Sequence, residues 1–331
     1  MTAPGLYKPF AVPSLTVPGN LFLAPLAGYS DAAFRALCLR WGAALAFTEM
    51  VSSEALRRGN CKTVGLLRRA TNEQRLAVQI FAADPYVAAA SVEALSGFGP
   101  STIDLNCGCA VPKIVRSGCG AALLREPHRI GRILREVRGV TSVPISIKIR
   151  SGWDHDSINY LQVAQIAETE GASWVTLHPR SAAQGFNGQA EWTQIAALKS
   201  RLSIPVVGSG DLFCAQDGMR MLLETGCDAI MFARGALGNP FVFQQTRTLL
   251  TAGSVPAPVD PRLKLETALE HLKLALETKD EQVAVRGLRK HFCAYTRGLP
   301  ASGHFRERVV RARSASEYEE LVAEYLRISN L

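Results

Sequence analysis

Three cysteines lie close together in the segment "DLNCGCAVPKIVRSGCGAALL" (104–124), at Cys107, Cys109 and Cys119. Such a group can bind a metal ion, form a disulfide or supply a reactive thiol. The spacing lacks the paired Cys-x-x-Cys of structural zinc sites and no close histidine completes it, so we predict no metal. A cytosolic protein keeps its thiols reduced, which argues against a disulfide. Whether one of them is a reactive thiol depends on the rest of the chain.

A lysine and a histidine on later apolar segments are further candidates for chemistry. Lys148 lies within "ISIKI", where a buried ammonium group is costly unless it meets an anion. A reduced flavin, which carries negative charge near N1, would be a suitable partner. His178, in "WVTLHPR", could assist from the same side.

Two glycine-rich loops follow, "GSGD" (208–211) and "ARGALGNP" (233–240), the second with Arg234. Glycines can serve merely to make tight turns. Side by side, however, the two loops favour a phosphate site, because glycines let backbone N–H groups approach an anion. No Walker sequence occurs, so we expect the phosphate of a cofactor or substrate other than a P-loop nucleotide.

Eight short apolar runs supply strands that could position these groups: 21–26, 44–51, 76–82, 101–108, 144–150, 174–180, 204–211 and 228–235. Amphipathic segments of helical length lie between them, such as 85–97, 127–138, 157–170 and 214–225. Strict alternation predicts parallel strands with right-handed crossovers. Eight units in about 250 residues predict an α/β fold, a (β/α)₈ TIM barrel. The alternative, an open doubly wound sheet, is weakened because "GSGDLF" lacks the third glycine of a dinucleotide fingerprint.

Chemistry in such a barrel takes place at the carboxyl ends of the strands. Read in order, these ends deliver Pro25, Glu49, Gln79, Asn106 with Cys109, Lys148, His178, Asp211 and Arg234. One polar residue at a strand end is usually only hydrogen-bonded to its neighbours. Their coincidence over eight strands predicts an active site at this rim.

The strand–helix alternation stops after Pro240. We predict a catalytic barrel over residues 1–250, a Pro-rich linker over 251–262 and a small all-α domain over 263–331. Between Arg286 and Arg313 there are eight Arg or Lys residues and one acidic residue, Glu307. This excess can be a solvated helical face or a site for a polyanion, and the net charge of +8 alone is weak evidence for the second.

The composition is that of a protein with a sizeable core, since 47% of the 331 residues are hydrophobic and 20% are charged. The N-terminal sequence lacks the basic start and apolar run of a signal peptide. Prolines and Gly19 interrupt the uncharged stretch 9–30, so we predict no membrane span. We expect a cytoplasmic protein that acts as a monomer.

Several motifs in order resemble those of the tRNA-dihydrouridine synthases, with the bacterial B-type branch most similar. They are "APLAGYSDAAFR" (24–35), "VQIF" (78–81), "DLNCGC" (104–109), "SGCGAALL" (117–124), "SIKIRSGWD" (146–154), "LHPRSAAQGFNG" (177–188), "GSGD" (208–211) and "ARGALGNP" (233–240). The basic tail with "RKHFCAYTRGLP" (289–300) resembles the family's C-terminal domain. The sequence departs from the family pattern at Ala110, where proline is usual, and at Ala233, where glycine is common.

The resemblance implies an FMN enzyme that reduces the C5=C6 bond of uridine in tRNA, with NADPH, or NADH, as electron source. It places Asn106 between flavin and uracil and the family's cysteine at Cys109. It implies flavin contacts through Pro25, Leu26, Ala27, Gln79, Lys148 and His178, and phosphate contacts through Ser209, Gly210, Asp211, Ala233 and Arg234.

The chemistry is consistent with this assignment. Reduction of an enone-like bond needs a hydride at C6, here from flavin N5, and a proton at C5 from the other face. A cysteine thiol with an ordinary pKa of roughly 8.5 is neutral at pH 7 and can donate that proton. We therefore predict that Cys109 is the general acid and that Cys107 and Cys119 are structural. The target base must leave its stack, and the basic tail would hold the RNA backbone.

Two other functions stay open at this point. A flavin barrel acting on a free small molecule, similar to dihydroorotate dehydrogenase, would have no need of the basic tail. A flavin-containing RNA-binding protein would have no need of Cys109. The sequence leaves ribosomal RNA open as a substrate.

Overall fold

We describe residues 5–329 of a computed structural model of the chain. Its eleven strand segments are β1 Phe10–Val12, β2 Leu15–Val17, β3 Leu21–Leu23, β4 Leu45–Ala46, β5 Val51–Ser52, β6 Ala77–Phe81, β7 Thr102–Cys107, β8 Ile145–Arg150, β9 Trp174–His178, β10 Val206–Ser209 and β11 Ala229–Phe232.

Fourteen α-helices are present in the described residues: α1 Ala32–Arg40, α2 Ser53–Arg57, α3 Cys61–Gly65, α4 Pro85–Leu95, α5 Pro112–Arg116, α6 Pro127–Val140, α7 Tyr160–Thr169, α8 Thr193–Lys199, α9 Ala215–Thr225, α10 Val242–Ala252, α11 Pro261–Leu276, α12 Glu281–Tyr295, α13 Ser302–Val309 and α14 Ala315–Ile328. None of the helices within residues 5–329 is long and apolar enough to cross a membrane.

Nine parallel segments form one curled sheet in the order β4-β3-β11-β10-β9-β8-β7-β6-β5. Segments β4 and β5 are the two halves of one barrel strand, and a parallel bridge between Phe47 and Ala77 joins β4 to β6. The prediction of an unbroken strand over 44–51 is therefore wrong in the middle of that range. The Thr48 hydroxyl replaces a backbone acceptor there, since it receives the Gln79 N–H at 3.2 Å and donates to the Glu49 carbonyl. The eight-stranded barrel itself is confirmed.

An antiparallel hairpin, β1 with β2, closes the amino-terminal end of the barrel and was not predicted. The Phe10 ring meets the rings of Phe22 and Trp174 edge-on, with centroids 5.2 and 5.6 Å away. These rings belong to an apolar cluster that fills this end of the barrel. The opposite, carboxyl end of the strands is left for polar side chains.

The helices α11 to α14 form an all-helical region with its own apolar cluster, which confirms the predicted change of class after the barrel. This region packs on α1, where the rings of Phe34 and His271 stack with centroids 5.6 Å apart. Lys279 also forms an ion pair with Asp31 at 2.5 Å. The limits 250 and 263 stay predictions, and α10 ends at Ala252.

Candidate active site

One pocket lies at the carboxyl ends of the barrel strands. Its apolar wall consists of Ala24–Ala27 after β3, Met50 and Met231. The polar lining comes from the ends of five strands and the loops after them: Asn106, Cys109, Lys148, Arg150, His178, Ser209, Gly210, Asp211 and Arg234. The structure thus brings together the predicted site residues except Glu49 and Gln79, which do not line the pocket, and the role of each stays a prediction.

Cys109 follows β7 in a loop that is fixed by hydrogen bonds to both its N–H and its carbonyl group. Its N–H donates to Asn106 Oδ1 at 2.9 Å, and its carbonyl accepts the N–H of Ala121 at 2.9 Å. Gly120 permits this approach, because a Cβ at that position would lie 2.5 Å from the Cys109 carbonyl oxygen. The loop is therefore fixed although Ala110 stands where the family usually has proline.

The Cys109 thiol is the only one of the three clustered thiols to line the pocket among the described residues. Burial raises its pKa, and the Val111 N–H and Arg150 reduce that effect without reversing it. The thiol is consequently protonated at neutral pH. Cys107 is fully buried in the barrel core and Cys119 is 6% exposed, so both lie behind the pocket wall.

Gln79 lies beneath the pocket lining. Its Oε1 accepts from Asn106 Nδ2 at 2.8 Å, and its Nε2 donates to Asp104 Oδ2 at 2.6 Å. Burial raises the pKa of Asp104 to about 6. The amide of Gln79 is thus committed on one side to the residue that holds Cys109 and on the other to a buried carboxyl group.

Lys148 projects into the barrel from β8. Burial and then Arg150 lower the pKa of its ammonium group to about 8, while Asp104 acts in the opposite direction. An anion in the pocket would stabilise the charged form. Lys148 can therefore be a cation at pH 7 with an anion beside it.

His178 is a neutral imidazole. Burial, then Lys148, Arg150 and Arg180, lowers its pKa to about 2. Arg180 Nη1 lies 3.3 Å from His178 Nε2, and because a guanidinium group only donates, Nε2 is the acceptor. The proton is then on Nδ1.

Asp211 organises the end of the pocket where a phosphate was predicted. Its carboxylate accepts from Arg180 at 2.8 and 2.6 Å, from the Ala190 N–H at 2.8 Å and from Arg234 at 3.3 Å. Burial tends to raise the Asp211 pKa, but the bonds from Arg180 and Ala190 outweigh it, and the pKa is lowered. Because the Asp211 carboxylate accepts hydrogen bonds from two arginines, the backbone of Asp211 rather than its side chain can face an anion.

Gly210, next to it, adopts φ = +108°, and a Cβ there would lie 2.8 Å from His178 Cδ2. The Ser209 hydroxyl donates to the Met231 carbonyl at 3.0 Å. Ala233 follows β11, and Arg234 begins a short 3-10 turn. The two loops lie side by side because β10 and β11 are paired.

Two arginines and one aromatic residue of the site were not predicted. Arg150 donates to the carbonyls of Gly108, Ser181 and Gly185 at 2.8–3.0 Å, which joins the cysteine loop to the loop after β9. That loop places Phe186, 59% exposed, at the pocket mouth, 4.5 Å from the Arg234 guanidinium carbon. Arg150 and Arg180 each follow a predicted site residue by two positions, so the period of a strand could have indicated both arginines.

Comparisons with known proteins agree on one family. The family model described as dihydrouridine synthase matches residues 22–329. A probable tRNA-dihydrouridine synthase of Treponema pallidum is 40% identical over 96% of both chains. tRNA-dihydrouridine synthase B of Xanthomonas axonopodis pv. citri is 35% identical over 92% of both chains. Among solved structures, morphinone reductase superposes with a TM-score of 0.56 over 79% of this chain and 94% of its own, at 13% identity, which shows a likeness of fold.

Proposed function

The chain belongs to the dihydrouridine synthase family, and from this premise we propose that it reduces the C5=C6 bond of uridines in tRNA, with FMN as cofactor and NADPH as electron donor. The observation that carries the proposal is a protonated, half-buried thiol, Cys109, in the wall of a strongly cationic pocket. The pocket lies where barrel enzymes carry out their chemistry.

The residues of the pocket fit FMN. Three cations line it, Lys148, Arg150 and Arg234, against one lining carboxylate, Asp211, which is also paired with the buried Arg180 behind it. Such an excess of positive charge in a partly buried site is stabilised by an anion. The phosphate would be held by the backbone of Ser209–Asp211 and by Ala233 with Arg234, and the ring system would lie along Pro25–Ala27 with Lys148 and His178 near its pyrimidine part. Bound there, the flavin supplies the hydride for C6.

Cys109 would supply the proton for C5. Because burial raises its pKa, the thiol keeps its proton at neutral pH, as a general acid must. Asn106 fixes the backbone of Cys109 and lies in the same wall, so it would border the uracil. Phe186 at the mouth would limit the access of water to the bound base.

We propose further that the helical region, residues 263–331, binds the RNA backbone while the target base enters the barrel. Arg297, Arg311 and Arg313 are exposed, and their guanidinium groups bond to no residue in the range 5–329. Cations of this kind are free to contact phosphates. By contrast, Arg308 is paired with Glu324 at 2.6 Å. The reaction would take place in the cytoplasm, where tRNA is found and where all eight free cysteines can stay reduced.

The proposal is tested by mapping dihydrouridine, nucleotide by nucleotide, in tRNA and ribosomal RNA from a strain that lacks the gene. We expect specific tRNA positions to revert to uridine and to regain dihydrouridine when the purified protein, FMN and NADPH are added. Unchanged tRNA, or turnover of a free pyrimidine instead, would contradict the proposal.

A further inference from the structure

A line of hydrogen bonds leads from the cysteine loop into the centre of the barrel. The N–H groups of Gly108 and Cys109 donate to Asn106 Oδ1 at 3.2 and 2.9 Å. Asn106 Nδ2 donates to Gln79 Oε1 at 2.8 Å, and Gln79 Nε2 donates to Asp104 Oδ2 at 2.6 Å. Asn106 is 6% exposed, and Gln79 and Asp104 are at most 1% exposed, so water cannot replace these partners.

The direction of every bond in this line follows from its outer end. Backbone N–H groups only donate, so the Asn106 atom that faces them must be the oxygen. Its NH₂ group then faces Gln79, which must present its own oxygen and turn its NH₂ group inward. That NH₂ group requires an acceptor, and the Asp104 carboxyl group provides one.

Asp104 otherwise lacks an explanation. It lies at the centre of the barrel, and within residues 5–329 it forms no ion pair; its other oxygen accepts from the Ser146 hydroxyl at 2.6 Å. A buried carboxyl group without a bonded cation destabilises a fold, because its desolvation is only partly offset by hydrogen bonds. A role in holding the Gln79 and Asn106 amides in one orientation would explain why this residue is present.

We propose that Asp104 is a positioning residue that acts through Gln79 and Asn106 to hold the Cys109 thiol in the pocket wall. The proposal rests on the proposed role of Cys109 as the proton donor. Without the Asp104 carboxyl group as acceptor, no hydrogen bond fixes the orientation of the Gln79 amide from the inner side. A turned amide would present NH₂ to NH₂ at Asn106 and release the loop that carries the thiol.

The test replaces Gln79 by glutamate, which has the same shape. While the introduced carboxyl group is protonated, it donates to Asp104 and accepts from Asn106, so the line persists. When that proton leaves, two carboxylates face each other at hydrogen-bond distance and repel. The other titratable groups that face Asp104 are Lys148 on β8 and the Cys107 thiol on β7. Because burial already raises the pKa of Asp104 to about 6, we expect the pair of carboxyl groups to lose its shared proton above that pH.

The matched control is the double variant Gln79→Glu/Asp104→Asn, which exchanges the amide and the carboxylate. The carboxylate introduced at position 79 then accepts from Asn106 and from the new amide, whose oxygen accepts from Ser146. While that carboxyl group is ionised, all bonds of the line exist, with the same net charge as in the wild type. Protonation would point its O–H at an amide NH₂ group, so this variant is compared with the wild type at the high-pH end of the range.

The primary measurement is the rate of Cys109 alkylation by iodoacetamide, followed by peptide mass spectrometry because Cys61 and Cys214 are also exposed. Rates are compared with wild type at each pH from 5.5 to 9. For Gln79→Glu we expect a ratio near one at low pH that rises about tenfold at high pH, as expected when a buried hydrogen bond is lost. Dihydrouridine formation should fall by about the same factor over this range. The double variant should return the alkylation ratio to the wild-type value at the high-pH end of the range.

A double variant as impaired as the single one, or a single variant whose ratio does not change with pH, would overturn the proposal. Should Gln79→Glu fail to fold by circular dichroism, the double variant decides: recovery of fold and Cys109 reactivity supports the proposal, and failure of both variants refutes it. If the wild type makes no dihydrouridine, the proposed function falls, whereas the alkylation ratios still decide the role of Asp104.

Discussion

The proposed contact between the helical region and RNA predicts a measurable change in salt dependence. Arg311 and Arg313 lie between α13 and α14, are exposed, and bond to no described residue through their guanidinium groups. Each phosphate contact contributes about 0.7 to 0.9 to the slope of log K against log salt. If each arginine neutralises one phosphate, Arg311→Ala/Arg313→Ala should reduce the slope by about 1.4 to 1.8. Between 50 and 200 mM salt, a fourfold change, wild-type affinity should then fall about 7- to 12-fold more than that of the variant.

The assay is fluorescence anisotropy of a labelled tRNA transcript titrated with holoenzyme at a series of salt concentrations. Two controls separate charge from structure. Arg311→Lys/Arg313→Lys keeps both cations and should keep the slope. Arg308→Ala/Glu324→Ala removes an ion pair of zero net charge from the same region and should also keep the slope.

If these arginines belong only to a solvated helical face, their replacement should change neither the affinity for tRNA nor its salt dependence. If Arg311→Ala/Arg313→Ala binds tRNA with wild-type affinity and slope, these arginines do not contact the RNA backbone. Oxidation of NADPH by the holoenzyme without RNA should be unaffected in all three variants, because the substitutions lie outside the barrel. A loss there would indicate unfolding rather than lost phosphate contacts.

Three further predictions concern the barrel. Cys109→Ala should lose dihydrouridine formation but keep FMN and its reduction by NADPH, and Cys107→Ala should stay largely active; the reverse result in tRNA mass spectrometry would mean that the wrong sulfur is assigned. Purified protein should be yellow, with one FMN per chain released by heat, and colourless protein that binds no added FMN would refute the cofactor. Burial raises the Asp104 pKa from 3.8 to about 6, so the folded state holds this proton more tightly and stability is lost as pH rises through that window. Asp104→Asn lacks this loss, so its stability relative to wild type in urea denaturation should improve by about 3 kcal/mol between pH 3.5 and 7.5, and a constant difference would show that Asp104 is not desolvated.

The sequence predicted the barrel because its signal is local. The run 144–150 alternates isoleucine with polar residues at the period of a strand, and β8 covers Ile145–Arg150. The hairpin β1–β2 was missed because its strands have three residues each and lie among prolines, so neither period nor length distinguishes them from a loop. What makes them strands is the packing of Phe10 on Phe22 and Trp174.

By itself the sequence determined most of the residues that reach the rim, because the carboxyl ends of parallel strands meet at one edge and side chains alternate with period two. Only the tertiary structure decided what those side chains do for each other. Arg180 meets Asp211 across 31 positions, and Gln79 meets Asp104 across 25. Such pairs depend on which strands become neighbours when the barrel closes, and no local propensity encodes them. Burial then sets the protonation of the Cys109 thiol and the His178 imidazole, because desolvation is a property of the surrounding chain and not of the residue.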